Sequence, residues 1–195
     1  MLYAQPPRKI ADPAPLGFIS YATTNFVASM IDVGFGGVHQ ANIVVAMAMS
    51  LGALGMFVAG MWEMAIGNTF AATAFAAYGG FWFSYALIFT PALEIVTQLE
   101  QTSDIPFDYS VGFFLLVWAI FTTLCLLCTL KSNMVFFMLF LTLDVTFIFL
   151  SAGYLSSDGS GPGTGWIKAG GIFGLASSAL GFYIGFAGMA DQSNT

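Results

Sequence analysis

Charge is what this 195-residue sequence has least of: Lys and Arg together number four, Asp and Glu ten, and His one, so 7% of residues are charged. Basic clusters are absent, which leaves nucleic-acid binding and recognition of anionic lipid headgroups without support. Cysteine is nearly absent too. Cys125 and Cys128 stand three apart in one apolar run, where they share a helix face and cannot close an ordinary disulfide within that helix. Both read as packing residues. His39 is the only histidine that could join them in a metal site, and there is no HExxH, GxSxG, P-loop or dinucleotide-binding fingerprint. Enzymatic catalysis is left without a motif, and no cofactor or metal is expected.

What the chain does have is apolar length: 58% of residues are hydrophobic and the mean hydropathy is +0.85. Crossing ~30 Å of hydrocarbon takes about 20 helical residues. Six runs meet that length, at about 16–33, 42–62, 68–90, 110–130, 133–152 and 166–188. A β-barrel would show short alternating segments instead. The expectation is an all-α integral membrane protein, with a short cytoplasmic tail and entrance motif at 1–15, a six-helix transmembrane domain at 16–188 and a cytoplasmic tail at 189–195.

Arg8 and Lys9 precede the first run and Lys131 lies between the fourth and fifth, whereas Lys168 falls on the opposite side. The positive-inside bias then puts both termini in the cytoplasm of a multi-pass protein. No small-residue cleavage site follows the first run, so no removable signal is expected. The short joint 63–67 makes a tight cytoplasmic hairpin. Outside fall the first loop with His39, the acidic connection holding Glu94, Glu100, Asp104 and Asp108, and the Gly/Ser-rich loop 156–165. The net charge of −6 sits mostly in such loops and reads as a solvated face.

Small residues recur at Gly52, Gly55 and Gly60 and at Gly170, Gly171, Gly174, Ser177, Ser178, Gly181 and Gly185. In lipid they let helix backbones approach closely. The 21 Phe residues are expected to face lipid, neighbouring helices or neighbouring subunits.

The segment Asp12 to Phe18 reads DPAPLGF. Asp12 can cap helix N–H groups, and Pro13 and Pro15 set the direction in which the helix starts. After Glu63 comes GNTF at 67–70, then Thr73, Phe75, Tyr78, Gly79, Phe81 and Trp82. The two motifs, in this order, resemble those of the acetate uptake transporter family, small succinate and acetate permeases with an NPAPLGL-type opening and a GNTF…TAF..YG.FW third helix. The resemblance covers essentially the whole apolar region. It implies six helices around a central solute path, subunits in a homo-hexameric ring in the cytoplasmic (plasma) membrane, and passage of acetate and related small carboxylates. It also implies a waist at Tyr21, Tyr78 and Leu141, and an entrance motif of Asp12, Pro13, Pro15 and Gly17. Tyr21 stands where the family usually has phenylalanine, and Asp12 where it has asparagine.

A carboxylate in a dry constriction without a fixed partner would be costly by several kcal/mol or more, and no Lys or Arg lies inside the runs apart from Lys168 near the edge of the last. The remaining candidates to hold it are uncharged donors and helix starts: Thr23, Thr24 and Asn25, then Asn68, Thr69 and Thr73. Asp144 lies deep in the fifth run, three residues after Leu141. An acid at that depth is a functional hypothesis by default. Asp144, with Glu63, is a candidate proton site. The expected function is transport of acetate and other small monocarboxylates, with succinate a further candidate, either proton-coupled or channel-like. The alternative is a channel for small neutral solutes such as urea or short amides.

Overall fold

Asparagine opens two of the long helices by one device. Asn133 Oδ1 accepts the Phe136 N–H at 2.9 Å and Asn68 Oδ1 accepts the Ala71 N–H at 3.2 Å, each satisfying a donor that a helix start leaves unpaired. At the first helix Asp12 Oδ1 takes the Ala14 N–H at 3.0 Å. That helix ends at Gly34, whose φ of 75° suits a residue without a Cβ.

The computed structural model describes residues 10–38, 42–102, 107–158 and 161–190. Among them the helices are α1 (Ala14–Val33), α2 (Asn42–Met47), α3 (Met56–Ala65), α4 (Thr69–Ile88), α5 (Ile95–Thr102), α6 (Phe107–Thr129), α7 (Met134–Leu155) and α8 (Thr164–Met189). A π-helical stretch, Ala48–Gly55, joins α2 to α3 without a break, so Asn42–Ala65 is one 24-residue rod. No strand occurs among the described residues. Arg8, Lys9, His39, Asp104 and residues 191–195 lie outside them.

Five rods are long and apolar enough to cross a membrane: Asn42–Ala65, Thr69–Ile88, Phe107–Thr129, Met134–Leu155 and Thr164–Met189. They coincide with the second to sixth expected runs to within a few residues. The first run is α1, which has the length, at 20 residues, but not the apolarity. Its Ser20, Thr24, Asn25 and Ser29 are buried in protein, where a helix shielded from lipid can carry polar groups. The π stretch, the short 3-10 helices Phe35–Gly37 and Pro91–Leu93, and α5, which occupies part of the acidic connection, had no counterpart in the sequence reading.

The helices pack by two different means. Along one side, α1 lies on α8 and α8 on α7. A Cβ added at Gly171 would come within 2.9 Å of the Ser29 carbonyl oxygen, so only glycine permits that approach. The α3–α4 pair does the same at Gly60, where a Cβ would stand 2.8 Å from Ala76 N. Between α4 and the α6–α7 pair, aromatic rings fill the gap. Phe81 stacks on Phe114 with centroids 5.5 Å apart and meets Trp118 and Phe147 edge-on at 5.2 and 5.3 Å. Nearer the other end Phe70 meets Phe140 at 5.6 Å, and Phe18 bridges Phe75 and Phe136. Many phenylalanines thus furnish the interior rather than the lipid face.

Candidate functional site

Where aromatic rings hold α4 away from α6 and α7, the interior is hollow. A cavity of about 80 Å³ is walled by the C-terminal halves of α1, α4 and α7 and the N-terminal half of α6, and includes Asn25, Ser29, Asp32, Trp82 and Tyr85. A smaller one of about 20 Å³ lies toward the opposite end, among Phe18, Met56, Phe75 and Phe140. The residues that line both are Tyr21, Tyr78 and Leu143. Tyr21 and Tyr78 are each 4% exposed and Leu143 2%, so the side chains common to the two cavities are nearly fully buried.

Hydrogen bonds hold the two phenols in place, and their direction can be worked out. The Ser177 hydroxyl donates to Leu139 O at 3.1 Å, which leaves its oxygen to accept from Tyr21 OH at 2.5 Å. The Thr122 hydroxyl donates to Trp118 O at 2.7 Å and accepts from Tyr78 OH at 2.9 Å. Each phenol proton is therefore committed sideways, to α8 and to α6. What remains toward the cavities is ring and alkyl surface. The hydroxyl that Tyr21 adds, relative to a phenylalanine, serves anchorage.

Of the residues singled out in the sequence, Tyr21, Tyr78 and Asn25 come together at the cavities. Leu141 does not. It is half-buried and lines neither cavity; Leu143, two residues on and about 200° round the helix, is the α7 leucine that lines both. Asp144 sits beside that leucine but faces α6, where the Thr123 hydroxyl lies 3.0 Å from each carboxylate oxygen. Thr24 is buried against Gly52 of the π stretch and donates to Ser20 O. Thr23 likewise donates to Ile19 O at 2.6 Å. Thr69 and Thr73 are exposed and stand one residue before the cavity-lining Phe70 and Ala74, hence about 100° off the lining face. Asn68, also exposed, acts as a cap.

Glu63 is 1% exposed, its carboxylate buried next to the Asn68 side chain. In the entrance motif, Pro13, Pro15 and Gly17 are buried, and Gly17 lies so close to the Phe75 ring that no side chain fits there. Sequence reasoning did not pick out Leu143, Ser29, Asp32, Thr122 or the hydroxyl roles of Ser177 and Ser178. Asp32 alone carried a signal, as an acid near the end of an apolar run.

The fold and the two-chambered interior define a small α-helical membrane protein of the architecture seen in a bacterial acetate channel. The solved structure of that channel, SatP, matches with a TM-score of 0.78 at 30% identity, over 91% of each chain. The chain belongs to the GPR1/FUN34/yaaH family, which it matches over residues 2–195. It is 46% identical to acetate permease A of Emericella nidulans over 192 residues, 96% of this chain and 64% of that protein. It is 32% identical to the succinate-acetate/proton symporter SatP of Escherichia coli, over 77% of this chain and 76% of that one. A third relative, the meiotically up-regulated gene 86 protein of Schizosaccharomyces pombe, is 41% identical over 94% of this chain and 60% of its own. The chain thus spans less than two thirds of the length of these two fungal relatives. Permease, symporter and channel are names of transport proteins, not of enzymes.

Proposed function

We propose that this chain forms a route through the cytoplasmic membrane for acetate and related small carboxylates, closed at a waist of Tyr21, Tyr78 and Leu143. The observation that carries the reading is the meeting of two internal cavities at those residues, in a fold shared with a bacterial acetate channel. The substrate class is supported by relatives named as an acetate permease and a succinate-acetate/proton symporter. In this reading α1 joins the five apolar rods as a sixth crossing helix, shielded by its neighbours. Lys131 after α6 and Lys168 early in α8 lie on opposite sides, with both termini cytoplasmic. Protons accompany the substrate, and Asp144 and Glu63 are the intramembrane acids that would carry them if the protein itself does. A homo-hexameric ring is the assembly.

Uptake of labelled acetate, lactate and urea, measured side by side in liposomes containing the full chain, tests the proposal. Saturable acetate uptake exceeding that of urea supports it. Protein-dependent urea flux without acetate flux would overturn it in favour of a channel for neutral solutes.

A further inference from the structure

Tyr21, Asn25, Ser29 and Asp32 follow one another at three- or four-residue steps along α1, and all line the larger cavity. They form one stripe from the waist to the last turn of the helix, a length of about 16 Å. Asn25 spends its amide on α8, with Nδ2 2.9 Å from Gly174 O and 2.8 Å from Ser178 Oγ. A backbone carbonyl only accepts, so the nitrogen is the atom on that side and the oxygen is left to the cavity wall. Ser29, with Trp82 and Tyr85 of α4 and Tyr154 of α7, brings hydroxyl and indole N–H donors to the same wall. None of these donates to a protein acceptor among the described residues. A carboxylate entering this cavity therefore finds uncharged donors.

Asp32 is the one charged residue on the wall of either cavity. It stands in the last turn of α1, at the negative end of that helix, where a carboxylate is unfavourable. Among the described residues it accepts no hydrogen bond and makes no ion pair, so helix formation and packing give no reason for an acid there. Its electrostatic neighbours are Tyr85 and Tyr154, and the other titratable groups on the wall are Tyr21 and Tyr78. The α6 residues on the wall are apolar. Asp108, in the first turn of α6, lies off the wall and accepts the Ser157 hydroxyl at 2.6 Å. On α8, Gly171 packs against Asp32, and Lys168, one turn before it, is exposed and lines neither cavity.

Resting on the transport reading above, we infer that Asp32 is a specificity-determining residue, which makes the larger cavity take monocarboxylates and turn dicarboxylates away. A monocarboxylate can set its one charge among the uncharged donors and its alkyl end toward Asp32. A dicarboxylate carries charge at both ends, so no orientation keeps both away from the acid. No cation on the wall offsets the second charge. Like charges ~10 Å apart at an effective dielectric constant of ~20 repel enough for roughly a tenfold discrimination.

The test measures initial uptake of labelled acetate, butyrate and succinate at neutral pH into liposomes containing the full chain, with protein-free vesicles subtracted. Butyrate has the carbon chain length of succinate but a single carboxylate, so it separates charge from size. Wild type should favour butyrate over succinate about tenfold in kcat/KM. Succinate taken up as well as butyrate overturns the inference while leaving acetate transport intact. Asp32→Asn should raise the succinate-to-acetate ratio about tenfold without a matching rise for butyrate, and Asp32→Glu, which keeps the charge, should hold the wild-type ratio. A succinate ratio unmoved in Asp32→Asn, or succinate and butyrate rising together, removes Asp32 from the role. Absence of any protein-dependent acetate flux sinks the transport reading, and this inference with it. The wild-type comparison of butyrate with succinate puts the inference at risk even where a variant fails to assemble.

Discussion

Leu143 is a side chain whose volume can be read as a gate. It touches both chambers and is nearly fully buried, so Leu143→Ala should open the waist and raise lactate or succinate uptake relative to acetate. The cavity it leaves costs about 2–5 kcal/mol of stability. Leu141→Ala, on the opposite face, should leave the uptake ratio unchanged, and equal ratios in the two variants would remove Leu143 from the gate. Asn68 makes the contrasting case, because its carboxamide oxygen is occupied by a helix N–H. Asn68→Ala should lower the melting temperature by the equivalent of ~1 kcal/mol and leave the acetate KM alone. A large rise in KM would make Asn68 a substrate ligand. Asp144 is directed at Thr123 and away from the cavities. If the proton crosses on the substrate, acidifying the external side raises the supply of undissociated acid and accelerates uptake as strongly in Asp144→Asn as in wild type. A pH-independent Asp144→Asn protein would instead put the transported proton on Asp144.

At the level of helices, glycine and phenylalanine divide the work of spacing. Glycines bring α1 onto α8 and α3 onto α4, while stacked aromatic rings keep α4 apart from α6 and α7, and the hollow lies on the aromatic side. Two glycines in sequence neighbourhoods that look alike should therefore behave oppositely. At Gly60 an added Cβ meets backbone atoms of Ala76 and Ala72, and Gly60→Ala should destabilise by about 1–3 kcal/mol through overpacking. At Gly80 nothing lies within 4 Å, so Gly80→Ala should stabilise α4 by about 0.5–1 kcal/mol through helix propensity alone. Thermal unfolding of the two solubilised variants checks both, and a stable Gly60→Ala would show that α3 and α4 can slide apart.

Across the whole molecule, the surface carries the same apolar character as the interior. Phe113, Val117, Ile120, Leu124 and Leu127 are exposed along α6, and Ile172, Tyr183 and Phe186 along α8, a surface that only lipid or further protein can cover. With the proposed ring, mass measurement of the gently solubilised protein should give six times the 20.8 kDa chain. A monomeric species that still transports acetate would show that one chain suffices.

The membrane-spanning character was legible from the sequence because hydrocarbon thickness sets a length that apolar runs must meet, and five of the six runs are such rods. The cap at Asp12 was readable for a similar reason, since an unpaired helix N–H is satisfied by a residue a few positions away. The inward leucine was not. Helix α7 is apolar around nearly its whole circumference, so no periodicity marks which of Leu141 and Leu143 faces the cavities, and only the packing of α7 between α6 and α8 decides it. The direction of Asn25 was equally hidden, because Gly174 and Ser178 lie about 150 residues away. Sequence alone supplied the amide; the tertiary contact with a carbonyl that can only accept determined which end of it faces the cavity.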